Sequence, residues 1–128
     1  MEGEKVYHLS PLMIALASVL LGALGQVLWK YGLNFIEFSP EMFFNLKGLA
    51  KIIMNGWIPA GILCYFFSMV LWLKALKEAE LSYVYPLISL NFVILTLIGA
   101  LLFHEHVSVL RVIGVLLIVA GIIAVAYS

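Results

Sequence analysis

The chain alternates four long apolar stretches with short polar connections. The apolar stretches cover about residues 11–31, 57–75, 83–103 and 109–127. The third contains 21 consecutive residues without a charged side chain. A helix of that length, rising about 1.5 Å per residue, crosses the roughly 30 Å hydrocarbon core of a bilayer. We therefore predict an all-α integral membrane protein, with four transmembrane helices in one domain covering residues 1–128.

The connection between the first two spans has a pattern of its own. Ser39-Pro40 is a favourable helix start, and residues 40–54 place apolar side chains on one side and Lys47 and Lys51 toward the other. Such a segment is typical of a helix lying in the membrane interface. We predict an interfacial helix over about residues 40–54; the alternative is an early extension of the second span.

The first span carries a face of small and polar residues. Ser18, Gly22 and Gln26 recur every four residues, and Lys30 continues the stripe. Small residues at this spacing let helix backbones approach closely in lipid. We expect this helix to begin at Ser10-Pro11, because proline is tolerated in the first turn of a helix.

The third span has polar groups inside it. Asn91 cannot reach water from the middle of a membrane, so it needs a partner in another helix, a ligand or a wet cavity. Tyr85-Pro86 interrupts the helical hydrogen bonds early in the span. This proline either starts the helix or acts as a hinge for alternating access.

Composition agrees with the pattern, because 65% of the residues are hydrophobic and 11% are charged, whereas about a quarter of a soluble protein is charged. The net charge of zero gives no reason to expect a nucleic-acid partner. His104 and His106 lack the H-E-x-x-H spacing of a zinc site. We expect no metal, no cofactor and no enzymatic activity, since the spans contain no nucleophile-base pair.

Several motifs together carry a family likeness: GQVLWKYG in the first span, YPLISLNFVILTL in the third, HEHVS after it and RVIGVLLIVAGII in the fourth. The chain resembles the four-helix members of the drug/metabolite transporter superfamily. More narrowly it is similar to the subunits of the 4-amino-4-deoxy-L-arabinose-phosphoundecaprenol flippase and, more distantly, to small multidrug resistance exporters. The resemblance implies a multi-pass protein of a prokaryotic plasma membrane, acting as a homodimer or with a related four-helix chain.

One departure from the exporters concerns charge. Gly22 stands where the exporters have a glutamate that binds protons and cationic drugs in turn, so the exporter chemistry is missing. The resemblance matches Tyr85 to the exporter tyrosine of the third span. It also matches Gly114 and Gly121 to the paired glycines of the exporters' dimer interface.

These residues define a predicted substrate site. We expect Lys30 and Arg111 to hold a lipid phosphate by charge-assisted hydrogen bonds, and Gln26 and Asn91 to hydrogen-bond a sugar. Lys30 and Arg111 have the alternative of reaching to the interface as helix-end residues. The full predicted set is Gln26, Lys30, Tyr85, Ser89, Asn91, Glu105 and Arg111.

Glu105 and the inner polar residues also have alternatives. Glu105 either pairs with Lys30 or Arg111 at the entrance, or caps the fourth helix, where a carboxylate complements the helix dipole. Ser89 and Asn91 either face the substrate or bridge helices.

The predicted function is a flippase that moves a polyprenyl-phosphate-linked sugar between leaflets. The alternatives are a small multidrug or metabolite exporter, against which Gly22 argues, and a non-transporting scaffold subunit.

Overall fold

The computed structural model describes the backbone of residues 2–128 and the side chains of residues 10–128. Its helices are α1 (Glu2–Leu33), α2 (Leu46–Met54), α3 (Trp57–Glu78), α4 (Leu81–Val84), α5 (Leu90–Leu102) and α6 (Val109–Ala126). Four stretches of the described chain are long and apolar enough to cross a membrane: Ser10–Leu33, Trp57–Glu78, Leu81–Leu102 and Val109–Ala126. The predicted all-α fold with four spans is confirmed.

The first helix begins earlier than the sequence suggested. α1 starts at Glu2, and Pro11 lies inside it with its side chain buried. A proline removes one hydrogen bond from a helix interior without removing those on either side. The prediction that Ser10-Pro11 opens this helix was therefore wrong.

The most extensive helix contact is between α1 and α3. Gly25 and Gly61 meet there: a Cβ atom added to Gly61 would lie 2.7 Å from the carbonyl oxygen of Gly25. The indole Nε1 of Trp29 also donates a hydrogen bond to the carbonyl oxygen of Ile58, over 3.1 Å. The two glycines let the backbones approach closely, and the hydrogen bond of Trp29 adds a second link. α1 and α3 therefore form one tightly packed pair.

Residues 40–54 are helical as predicted, in two pieces, and their place in the membrane interface stays a prediction. A 3₁₀ helix covers Pro40–Phe44, and α2 follows after Asn45, whose side chain accepts a hydrogen bond from the backbone N–H of Lys47. Gly56 has a φ of 80° and separates α2 from α3. The alternative, in which this segment extends the second span, is wrong because that turn ends α2.

The third span contains a break. It consists of α4, a 3₁₀ helix over Tyr85–Ser89 and α5, so Pro86 lies within the span and not at its start. A 3₁₀ stretch inside a longer helix often marks a hinge. The start-of-helix interpretation of Tyr85-Pro86 is therefore wrong, and the hinge stays a prediction.

The fourth span lies at the edge of the bundle. α6 contacts α5 and the 3₁₀ helix of the third span, and none of its residues is buried. A Cβ atom added to Gly114 or Gly121 would have nothing within 4 Å. These glycines leave a face of α6 that no described part of the chain covers.

Candidate functional site

A cavity of about 740 Å³ lies between α1, the third span and the start of α6, and we call it the central cavity. Its volume is in the range of small-molecule sites, about 300–1,000 Å³. Two of its aromatic lining residues, Tyr85 and Phe92, are 60% and 65% exposed, so it opens to the surroundings of the helices. Its polar lining residues are Gln26, Tyr85, Ser89, Asn91, Thr96, Glu105 and Arg111.

The charged residues of the site lie at one end of the bundle. Lys30 is in the last turn of α1, and its Nζ is 3.9 Å from Oε1 of Glu105. Both residues line a side pocket of about 200 Å³ that shares Gln26 and Glu105 with the central cavity. Their side chains are 57% and 47% exposed. A pair this exposed contributes about 0–1 kcal/mol to stability, so a charged ligand can displace it at little cost.

The turn after α5 determines the position of Glu105. His104 has a φ of 54°, and the backbone N–H of Glu105 donates a hydrogen bond to the carbonyl oxygen of Gly99 over 3.0 Å. The chain therefore folds back over the end of α5. A Cβ atom added to Gly99 would lie 2.6 Å from Oε2 of Glu105. The carboxylate thus lies over α5 at a point where only glycine leaves room for it.

Arg111 is in the first turn of α6. Its backbone N–H donates a hydrogen bond to Oγ of Ser108, which makes Ser108 the N-cap residue. The interpretation of Glu105 as the cap of this helix is therefore wrong; the short hydroxyl of Ser108 occupies that position. The guanidinium donates one hydrogen bond, to the carbonyl oxygen of His106 over 3.1 Å. A guanidinium has five N–H donors, which leaves others for a ligand in the central cavity.

Asn91 lies near the middle of the third span, at the start of α5. Its Oδ1 is buried and has no hydrogen-bond partner among the described residues. A buried amide oxygen without a partner costs about 1–3 kcal/mol. Asn91 faces the central cavity, where a ligand or water can supply the missing donor.

A small pocket of about 150 Å³ lies between α1, α3 and the third span, and Asn91 lines it as well. Ser18, Gly22 and Ser68 line it, and its lining includes no charged residue. A Cβ atom added to Gly22 would lie 3.0 Å from Oγ of Ser68. Gly22 therefore packs against α3, and a longer acidic side chain at this position would require the serine to move.

A larger hollow, of about 800 Å³, lies between the loop after α1 and α2. All its lining residues come from residues 35–55, a single stretch at the ends of the spans. It contains none of the predicted site residues, and we do not assign it to the transport site.

Comparison with known proteins places the chain in a family. The model of the EamA-like transporter family matches residues 42–127, which is about two thirds of the chain. The chain belongs to this family. It is accordingly a multi-pass membrane protein of a transporter family, as the sequence predicted. No solved structure matches the chain.

Two curated relatives in Pseudomonas savastanoi pv. phaseolicola are both named as probable 4-amino-4-deoxy-L-arabinose-phosphoundecaprenol flippase subunits. The chain is 31% identical to the subunit ArnE, with 86% of this chain and 91% of the relative covered. It is 32% identical to ArnF, with 88% and 85% covered. The ArnF relative of Shewanella sediminis is 34% identical, with 89% and 86% covered. This EamA-like chain is thus similar to both subunits to the same degree.

The structure brings the predicted site residues of this EamA-like transporter together. Six of the seven line the central cavity, and Lys30 lies beside it in the side pocket. The sequence interpretation omitted Thr96, which also lines the central cavity. Its position in the sequence could have indicated this: Thr96 is seven residues after Ser89, and two turns of a helix place both residues on the same face. That these residues bind substrate stays a prediction.

Proposed function

We propose that the chain is a subunit of a flippase that moves a polyprenyl-phosphate-linked sugar between leaflets. The observation that carries the proposal is the distribution of polar groups in the central cavity. The cationic groups of Lys30 and Arg111 lie at the end of the bundle together with Glu105, and neutral hydrogen-bonding groups follow toward the middle of the third span. This order matches a lipid whose phosphate remains at the interface while its sugar passes through the membrane.

The phosphate is held by Arg111 and Lys30. Hydrogen bonds between ionised partners are stronger than neutral ones, and each contributes about 1.5–3 kcal/mol. Arg111 lines the central cavity directly, whereas Lys30 approaches through the side pocket. Two cations at the entrance are suited to the phosphate, which stays near the water boundary.

The sugar meets hydroxyl and amide groups on its way inward. Gln26, Ser89 and Asn91 replace the water that its hydroxyl groups lose. Asn91 contributes the buried oxygen that has no donor in the described chain. The polyprenyl tail remains in lipid and leaves the cavity between Tyr85 and Phe92, whose exposure supports an opening on that side.

Transport is not coupled to a proton carried by a buried acid. The interiors of the four spans contain no aspartate or glutamate, and Gly22 packs against Ser68. We infer that consumption of the lipid in the far leaflet drives net movement. The same features argue against a proton-coupled exporter of cationic drugs.

The working unit includes a second four-helix chain, either another copy or a related subunit. Four helices of this length can hardly enclose a sugar headgroup, and α6 has no buried residue. The relatives are themselves named as subunits.

The test measures flipping of a sugar-phospho-polyprenol in vesicles reconstituted with the purified chain and any copurifying subunit. We expect the double substitution Lys30→Ala with Arg111→Ala to abolish transfer. Lys74→Ala with Lys77→Ala removes the same charge at the other end of the bundle and serves as the control, with transfer unchanged. Unchanged flipping in the Lys30/Arg111 variant would exclude this site.

A further inference from the structure

We propose that the hollow between the loop after α1 and α2 binds a membrane phospholipid whose headgroup carries both a phosphate and a primary ammonium group. We call this space of about 800 Å³ the outer hollow. It is separate from the central cavity, because the two share no lining residue. The inference therefore goes beyond the proposed function and does not depend on it.

Four charged side chains of both signs line the outer hollow: Glu37, Glu41, Lys47 and Lys51. All four residues are exposed, and none of them forms an ion pair with another described side chain. This balance favours a ligand that carries both signs, since a purely anionic or purely cationic ligand is repelled by one of the two pairs. A phosphate suits the lysines, and an ammonium group, which donates three hydrogen bonds, suits the carboxylates.

The packing of α2 holds the two kinds of charge around one space. Lys47 and Lys51 are four residues apart, so one turn of α2 places them on the same face. A Cβ atom added to Gly48 would lie 2.5 Å from Cα of Met42. Glycine thus lets α2 pack directly against the 3₁₀ helix, which carries Glu41.

The loop and the end of α2 are also fixed by contacts. The rings of Phe38 and Phe43 have their centroids 5.4 Å apart, and this contact holds the loop beside Glu37 against the 3₁₀ helix. Nδ2 of Asn55 donates a hydrogen bond to the carbonyl oxygen of Gly32, over 3.1 Å. This bond joins the end of α2 to the end of α1, so the outer hollow lies at that end of the bundle.

The location of the outer hollow makes a phospholipid its occupant. α1 and α3 both contain membrane spans, and the segment between them carries the hollow, so its charges lie at the boundary where phospholipid headgroups are found. The lining also includes Phe35 and Met54, and Phe44 and Leu46 lie nearby in the sequence; all four are exposed large hydrophobic residues. Apolar side chains beside charged ones are suited to contact acyl chains below a headgroup.

The experiment measures binding of three phospholipids with identical acyl chains to the detergent-purified protein by native mass spectrometry. Phosphatidylethanolamine has a phosphate and a primary ammonium group, phosphatidylcholine has a quaternary ammonium group that donates no hydrogen bond, and phosphatidylglycerol has only the phosphate charge. We expect wild type to prefer phosphatidylethanolamine over each of the others by about tenfold. A wild type that binds all three equally, or prefers phosphatidylglycerol, overturns the proposal.

Two double substitutions test the headgroup contacts separately. Lys47→Gln with Lys51→Gln should weaken binding of all three lipids by about tenfold, because each loses the partners of its phosphate. Glu37→Gln with Glu41→Gln should abolish the preference for phosphatidylethanolamine and improve binding of phosphatidylglycerol, since the repulsion is removed. All four residues are exposed, so both variants should unfold at the wild-type temperature.

The matched controls are Lys74→Gln with Lys77→Gln and Glu78→Gln with Glu80→Gln. These four residues are exposed, lie at the other end of α3 or just after it and do not line the outer hollow, so binding should stay at the wild-type level. A lipid preference that survives both outer-hollow variants would show that the lipid binds elsewhere and overturn the assignment. A copurifying protein that covers residues 35–55 and excludes all three lipids would also overturn it.

Discussion

Ser18 and Ser68 exchange hydrogen bonds between α1 and α3: each hydroxyl donates to the backbone carbonyl oxygen of the other residue, over 2.7 Å and 2.8 Å. Both residues are buried. Inside a membrane a hydroxyl has no water to turn to, so each serine satisfies the other. This exchange joins the two helices that also meet at Gly25 and Gly61.

Replacing both serines by alanine is expected to destabilise the protein. The variant loses two interhelical hydrogen bonds, and such bonds contribute on average about 0.6 kcal/mol each in membrane proteins. We therefore expect a loss of roughly 1–2 kcal/mol, measured by thermal unfolding in detergent. Ser82→Ala, at an exposed position at the start of the third span, is the control. Equal unfolding temperatures for both variants would contradict a stabilising role.

Replacing Asn91 by leucine is expected to impair transport without impairing folding. Since Oδ1 of Asn91 has no partner in the described chain, replacing the amide should not lower the free energy of unfolding. Flipping should decrease severalfold, because the sugar loses an acceptor in mid-membrane. Asn34→Leu, in the exposed loop after α1, is the matched control. A strongly destabilised Asn91→Leu protein would instead show that this amide bridges helices.

Replacing Pro86 by alanine is expected to slow transport. Alanine restores the backbone N–H and removes the ring, so that a continuous α-helix can replace the 3₁₀ break. Lipid affinity should be retained while the flipping rate falls, and the two are measured separately. Pro59→Ala serves for comparison, because Pro59 lies in the first turn of α3, where proline is tolerated. Wild-type rates in Pro86→Ala would argue against a hinge.

Adding bulk to α6 is expected to weaken association and leave the fold of the chain intact. A Cβ atom added to Gly114 or Gly121 would have nothing within 4 Å, so we expect the described chain to accommodate leucine at both positions. We expect an increase in monomer by size-exclusion chromatography with light scattering, without loss of thermal stability. Ala126→Leu, on a different face of α6, should leave association unchanged. Wild-type association in the double leucine variant would place the partner elsewhere.

The spans could be predicted from the sequence because each is a nearly continuous apolar run. The stripe on α1 was harder to interpret. Ser18 and Gly22 contact α3, whereas Gln26 faces the central cavity. Four residues rotate the helix by about 400°, so a four-residue stripe drifts about 40° with each repeat. Between Ser18 and Gln26 the stripe therefore turns from α3 to the central cavity. The four-residue spacing alone does not show at which residue this change occurs.

The position of Glu105 could not be predicted in the same way. Its place depends on His104, whose φ of 54° is uncommon for a residue other than glycine. Nothing in HEHVS marks that conformation, so pairing with Lys30 or Arg111 and capping of the fourth helix both stayed open. The backbone hydrogen bond from Glu105 to Gly99 holds the residue over α5, and Ser108 is the N-cap of α6.

The two sides of the central cavity differ in how firmly they are held. α1 is held to α3 by buried hydroxyls and close backbone contact. The opposite side consists of a span with an internal break and of α6, which has no buried residue. Movement around a headgroup can therefore occur on that side while α1 and α3 keep their packing. The stability of the protein would then depend mainly on α1 and α3, and its transport rate on the third span and α6. Substitutions could change the transport rate without lowering the stability.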